Sequence, residues 1–140
     1  MTLEGEQFVD GGLSDPIPVR EAYRRGARTL IVVRSRAAHF VKNARIANRV
    51  GAWAMRREPG LAKACRNAAA VYRDAVSFMS DPPADCHVIQ VAPAAALATG
   101  RTSRDRAALE RDYALGRALG REAIDRFERT RSTETFDKAG

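Results

Sequence analysis

Residues 5–33 read GEQFVDGGLSDPIPVREAYRRGARTLIVV, and the parsing of this stretch decides the fold. The apolar pair Phe8-Val9 runs straight into Asp10, then Gly11 and Gly12, then prolines at 16 and 18. A plain turn needs one glycine or proline, so this much punctuation around a single carboxylate needs a reason. One parsing is a hairpin, because Asp-Gly between two strand-like runs is a strong turn signal. The other is a carboxylate pinned at the end of a strand over 6–10, with Gly11 or Gly12 at positive φ and the two glycines leaving room for another group to approach. The prolines then forbid regular structure, which makes 11–18 a loop with extended segments. Val19 to Arg25 is a short helix, with Gly26 as its left-handed terminator. The continuous β-branched run at 29–33 has the pattern of a strand buried on both faces. Strand, loop, helix and strand in quick succession is the rhythm of an α/β protein with a parallel sheet.

Two helices are predicted next. The first, over about 40–57, places Phe40, Ala44, Ala47, Val50, Gly51 and Ala54 at helical spacing. Pro59-Gly60 breaks the chain. The second, over about 61–79, carries a cleaner stripe of Leu61, Ala64, Cys65, Ala68, Tyr72, Ala75, Val76 and Met79. After the loop SDPPAD (80–85) comes a second strand at about 86–92, then a small-residue connection over 93–101. A final helix follows at about 103–129, capped by Thr102 with Asp105. Its predicted buried face is Leu109, Tyr113, Gly116, Gly120, Ala123, Ile124 and Phe127. This gives one domain over 1–128, with two or three short strands and three to four helices, and a polar, frayed tail over 129–140.

Composition bounds the function. A chain of 140 residues with 45% hydrophobic content can bury a core. No apolar run reaches the length of a membrane span, and MTLEGEQFVDGG has neither a basic leader nor an apolar stretch, so no secretory signal is read there. Cys65 and Cys86 lack metal-ligand spacing and read as reduced thiols of a cytoplasmic protein. His39 and His87 have no ligand-spaced carboxylate or cysteine and read as structural. No cofactor or metal site is expected. The net charge of +7 is carried almost wholly by arginine, with lysine at 42, 63 and 138. These arginines are scattered, with few aromatics among them, and read as a solvated surface rather than a nucleic-acid interface.

Taken as a unit, FVDGGLSDPIPVREAYRRGARTLIVV resembles the patatin-like phospholipase family. The matching residues are Asp10, Gly11 and Gly12 after a strand, Pro16 and Pro18, Gly26-Ala27, and Leu30 to Val33. The later helices, short strand and Tyr113-x-x-Gly116 element are also similar to the end of bacterial members, so the resemblance covers 5–128, more weakly beyond about 40. It implies the C-terminal part of a three-layer α/β/α fold and a lipid acyl hydrolase chemistry based on a Ser–Asp dyad. In that chemistry Asp10 is the base that takes the serine proton, and Gly11 and Gly12 clear the approach of serine and ester. Lipid or acyl-ester substrates and peripheral contact with a membrane are implied as well.

The chain departs from the family in lacking G-x-S-x-G. Its serines, at 14, 35, 77, 80, 103 and 132, lie in no such turn. Two readings therefore stand. In one, the chain supplies the catalytic Asp of an ester hydrolase and is inactive alone. In the other, it is a non-enzymatic remnant or partner-binding module. Both leave a sheet edge open to a complementary chain or to self-association.

Overall fold

The computed structural model describes residues 2–3, 6–7, 10–40, 53, 56–100 and 102–137. The helix expected over about 40–57 lies largely outside them. The chain is mixed α/β and folds as two compact units, Met1–Ala27 with Val41–Pro83, and Arg28–Phe40 with Ala84–Gly140.

In the first unit, β1 (Thr2–Leu3) and β2 (Glu6–Gln7) pair antiparallel, with Thr2 opposite Gln7 and Leu3 opposite Glu6. Strand structure at 6–10 is thus confined to Glu6–Gln7 among the described residues. Asp10 instead opens a 3-10 turn, Gly11–Leu13. Helix α1 (Val19–Arg24) ends where expected, since Gly26 takes φ +99°, a conformation that favours glycine. Helix α2 runs Pro59–Ser80. Pro59-Gly60, read as a break, opens this helix, because a proline at the first helical position forfeits only an N–H that has no intrahelical partner.

Along α2 the buried residues are Ala62, Cys65, Ala68, Ala69, Tyr72, Ala75, Phe78 and Met79. This stripe is turned slightly from the predicted one, with Leu61, Ala64 and Val76 half-buried at its margin. Tyr23 of α1 meets Phe78 with ring centroids 5.6 Å apart. Arg20 lies over the same Phe78 ring at 5.0 Å and grips Asp74 with two hydrogen bonds.

In the second unit, β3 (Thr29–Val33) and β4 (His87–Val91) pair in parallel, in register from Thr29–His87 to Val33–Val91. Backbone bonds from His87 N–H to Arg28 C=O and from Arg34 N–H to Val91 C=O continue the ladder at both ends. Helix α3 covers Arg106–Asp137. Asp105 caps it by accepting from the Ala107 and Ala108 N–H groups. The helix continues past 129, where a frayed tail was expected. No glycine or proline lies between Gly120 and Gly140 to stop it.

Helix α3 packs on β4 through Ala123, with Leu119 and Phe127 closing around Ile89 and Val91. The predicted buried face is displaced: Leu109, Tyr113 and Ile124 are 45%, 68% and 56% exposed, whereas Ala108 and Ala123 are buried. The small Ala123 lets the helix settle close to the strand, and the larger apolar residues are left beside the contact. Ile31 and Val33 are cross-strand partners of Ile89 and Val91 and so share their face. They are nevertheless 48% and 77% exposed, so β3 is not buried on both faces among the described residues. None of the described helices is long and apolar enough to cross a membrane.

This asymmetry sets a stability contrast. Ile89→Ala should cost about 2–5 kcal/mol, the usual loss for emptying a packed aliphatic site, read as a fall in the urea midpoint. Val33→Ala should change stability by no more than about 0.5 kcal/mol, as at open surface sites.

Candidate functional site

The site begins with backbone geometry. Asp10 has φ −56° and ψ 125°, the extended conformation of a helix cap, and its Oδ1 accepts the Gly12 N–H at 2.8 Å. The Leu13 N–H bonds to the Asp10 carbonyl at 3.0 Å, and Ser14 closes on Gly11 with both its N–H and its hydroxyl, at 3.0 and 3.1 Å. Leu13 then packs against Ala62 and Cys65 of α2. A turn of three residues is thereby fixed to a helix of 22.

The carboxylate is exposed, and among the described residues it has no ion pair. The two glycines differ in what they do. Neither Gly11 nor Gly12 takes positive φ, contrary to the expectation that one of them would; Gly26 alone does so among the described glycines. Gly11 has open space where a Cβ would stand, whereas a Cβ on Gly12 would lie 3.2 Å from Asp10 Oδ1. Position 12 is the tighter of the two: a Cβ there would press on the carboxylate that the Gly12 N–H holds, which would have to give by a few tenths of an ångström.

Of the other residues that the sequence singles out, Cys65 lies beneath Leu13 of this turn. His39 is exposed, and so is His87, whose Nε2 lies 3.1 Å from the Thr130 hydroxyl. Both cysteines are buried, and burial raises the Cys86 pKa. Among the described residues no group of three or more His, Cys, Asp or Glu side chains is placed to hold a metal ion.

One polar anchor was not singled out in the sequence. Asp112 accepts from the Ala98 N–H and from both the N–H and hydroxyl of Thr99, the last at 2.6 Å. These bonds, led by the Thr99 hydroxyl, hold the Asp112 pKa below the ordinary carboxylate value. The 13-residue separation hides the pair, because no local spacing rule links a loop threonine to an aspartate nearly two turns into the next helix.

Downstream of the Asp10 turn, Glu21 on α1 takes hydrogen bonds from Arg24 and then Arg25, at 2.7 Å each, and these hold its carboxyl down to about 2 from 4.5. A depressed folded value means that the contribution is complete above pH 4.5 and fades as pH falls towards about 2. The Glu21→Gln variant should therefore show a flatter decline of thermal midpoint across that interval than the parent. Above pH 5 the parent should be the more stable of the two. Equal slopes would show that the pair carries no linkage.

Residues 58–131, from the N-cap of α2 into the last turns of α3, match the family described as "Domain of unknown function (DUF6363)". The chain is 33% identical over 123 residues to "Uncharacterized protein YjjU" of Escherichia coli (strain K12). That alignment covers 86% of this chain and 34% of the relative, so the chain spans about a third of the length of the curated protein it matches. No solved structure matches. The family model covers more than half of the chain, which therefore belongs to the DUF6363 family.

Proposed function

We propose that the chain is the Asp-bearing part of a serine acyl-ester hydrolase of patatin-like type, acting on lipid or other acyl esters, with Asp10 as general base. The larger fold is then a three-layer α/β/α arrangement of which these strands and helices form the C-terminal part. One observation carries the reading: a carboxylate held at a cap position by the Gly12 N–H, exposed, and on a turn anchored through Leu13 to a long helix.

Such a carboxylate can take the proton of a serine hydroxyl as the serine oxygen attacks an acyl carbonyl. It returns that proton to the departing alkoxide, then takes one from the water that hydrolyses the acyl-enzyme and passes it to the serine oxygen as the acid leaves. The backbone bond from Gly12 fixes Oδ1, which limits the swing of the carboxylate and keeps the base in one place. The serine and the donors that stabilise the oxyanion come from a G-x-S-x-G segment outside these 140 residues. Most of the rate enhancement in acyl transfer resides in those groups, so the chain by itself is a poor catalyst.

The decisive test joins this chain to a G-x-S-x-G-bearing segment that restores ester hydrolysis. Asp10→Asn should then lower hydrolysis of nitrophenyl butyrate by about 10²–10⁴-fold, the usual worth of a general base, with unchanged circular dichroism. Gly12→Ala should also lower the rate, by displacing the Asp10 carboxylate, whereas Gly11→Ala, His39→Ala and His87→Ala should stay within a few-fold of the parent. Asp10→Asn activity within a few-fold would overturn the assignment. The 140-residue chain alone should show no hydrolysis above a buffer blank, and activity that disappears on Asp10→Ala would move the nucleophile onto one of its own serines.

A second reading, a partner-binding module without catalysis, is favoured by the exposure of Ile31 and Val33 on β3. It predicts self-association through that strand. Light scattering after gel filtration should give masses above the monomer, and Ile31→Lys with Val33→Lys should return the chain to a monomer. A monomeric parent would remove this reading.

A further inference from the structure

Trp53, the one tryptophan of the chain, is 67% exposed. Exposing so large an apolar side chain costs burial that a folded domain ordinarily gains, and a cationic side chain lies over it. The Arg56 guanidinium lies over the indole at 4.7 Å from the ring centroid and bonds to the Trp53 carbonyl at 3.3 Å. Arg56 and Arg57 are themselves exposed. The sequence around them is one-sided in charge: residues 40–57 contain Lys42, Arg45, Arg49, Arg56 and Arg57 and no aspartate or glutamate, with Ile46, Val50 and Met55 interleaved.

An indole with an apolar body and a polar N–H, beside guanidinium groups on flexible stems, is the combination that settles at the headgroup level of a bilayer. We infer that Trp53 with Arg56 and Arg57 forms a contact for an anionic lipid surface. Charge complementarity selects this occupant: each exposed base near a surface rich in anionic lipid contributes about fivefold in partition. Nucleic acid fits less well, because base stacking needs an open aromatic face and a series of such platforms. Here a single indole already has Arg56 over it. The inference assigns residues to the peripheral membrane contact that the patatin-like reading implies and in that sense rests on it, but the residues lie outside the Asp10 turn and the test needs no catalysis.

The single tryptophan makes the test direct. The full chain is titrated with large vesicles of phosphatidylcholine containing about a third phosphatidylglycerol, with pure phosphatidylcholine vesicles, and with single-stranded DNA. Trp53 emission should shift to the blue with the anionic vesicles only. It should be quenched by lipids brominated near the headgroup, and the effect should weaken as salt is raised towards 0.5 M. The Arg56→Glu/Arg57→Glu variant should lose at least about tenfold in vesicle co-sedimentation. Trp53→Ala, followed by the same co-sedimentation, should lose binding while keeping parental circular dichroism. Absence of quenching in the parent chain, equal binding to neutral vesicles, or tighter binding to the DNA than to the anionic vesicles would each overturn the proposal.

Discussion

The second unit depends on one backbone constraint, the parallel pairing of Thr29–Val33 with His87–Val91. Parallel strands cannot be joined by a tight turn, so the pair commits the chain between Val33 and His87 to a long crossover. Five cross-strand positions in strict register fix which side chains share a face. The flanking bonds at Arg28–His87 and Arg34–Val91 show that the ladder is not frayed at its ends, and the Arg28–Asp85 ion pair at 2.8 Å lies at the same edge. Register alone then dictates that Ile31 and Val33 lie on the face that α3 covers over Ile89 and Val91.

Much of this was legible before any coordinates. The TLIVV run is both β-branched and unbroken, and the strand begins and ends with it. Gly26 was legible because only one local geometry explains a glycine directly after a short amphipathic helix. The stripe of α2 was legible to within one residue, since small and apolar side chains recur there without interruption. The failures have physical causes. Pro59 breaks a helix only from within, and no propensity value distinguishes breaking from opening. The Asp10-Gly11-Gly12 triplet suggested positive φ, but the carboxylate supplies the turn by capping, and what distinguishes position 12 is steric, 3.2 Å between an absent Cβ and Oδ1. Such a distance cannot be read from residue types.

The face of α3 shows a deeper limit. Leu109, Tyr113 and Ile124 satisfy helical periodicity as well as Ala123 and Phe127 do, and together they give an apolar arc wider than a single strand can cover. Periodicity reports that an arc is apolar, not how much of it finds a partner. Among the described residues the strand beneath the helix is β4, and close packing there goes to the small side chain of Ala123, which is 5% exposed. The bulkier residues are displaced to the rim, and the same shortage leaves Ile31 and Val33 open on β3.

The chemistry proposed for Asp10 meets the same shortage from another direction. A carboxylate in water is well solvated, and its charge is screened by a high dielectric. As a base towards a serine hydroxyl it gains from surroundings that exclude water and hold the reacting atoms within hydrogen-bond reach. The Asp10 turn already has the second property in part, because Gly12 and Leu13 fix the backbone and one carboxylate oxygen. It lacks the first, being exposed. Apolar side chains without cover and a positioned carboxylate without enclosure are both resolved by added protein surface. On the proposed reading, each exposure favours a working unit larger than this chain, in which added surface also brings the serine to Asp10.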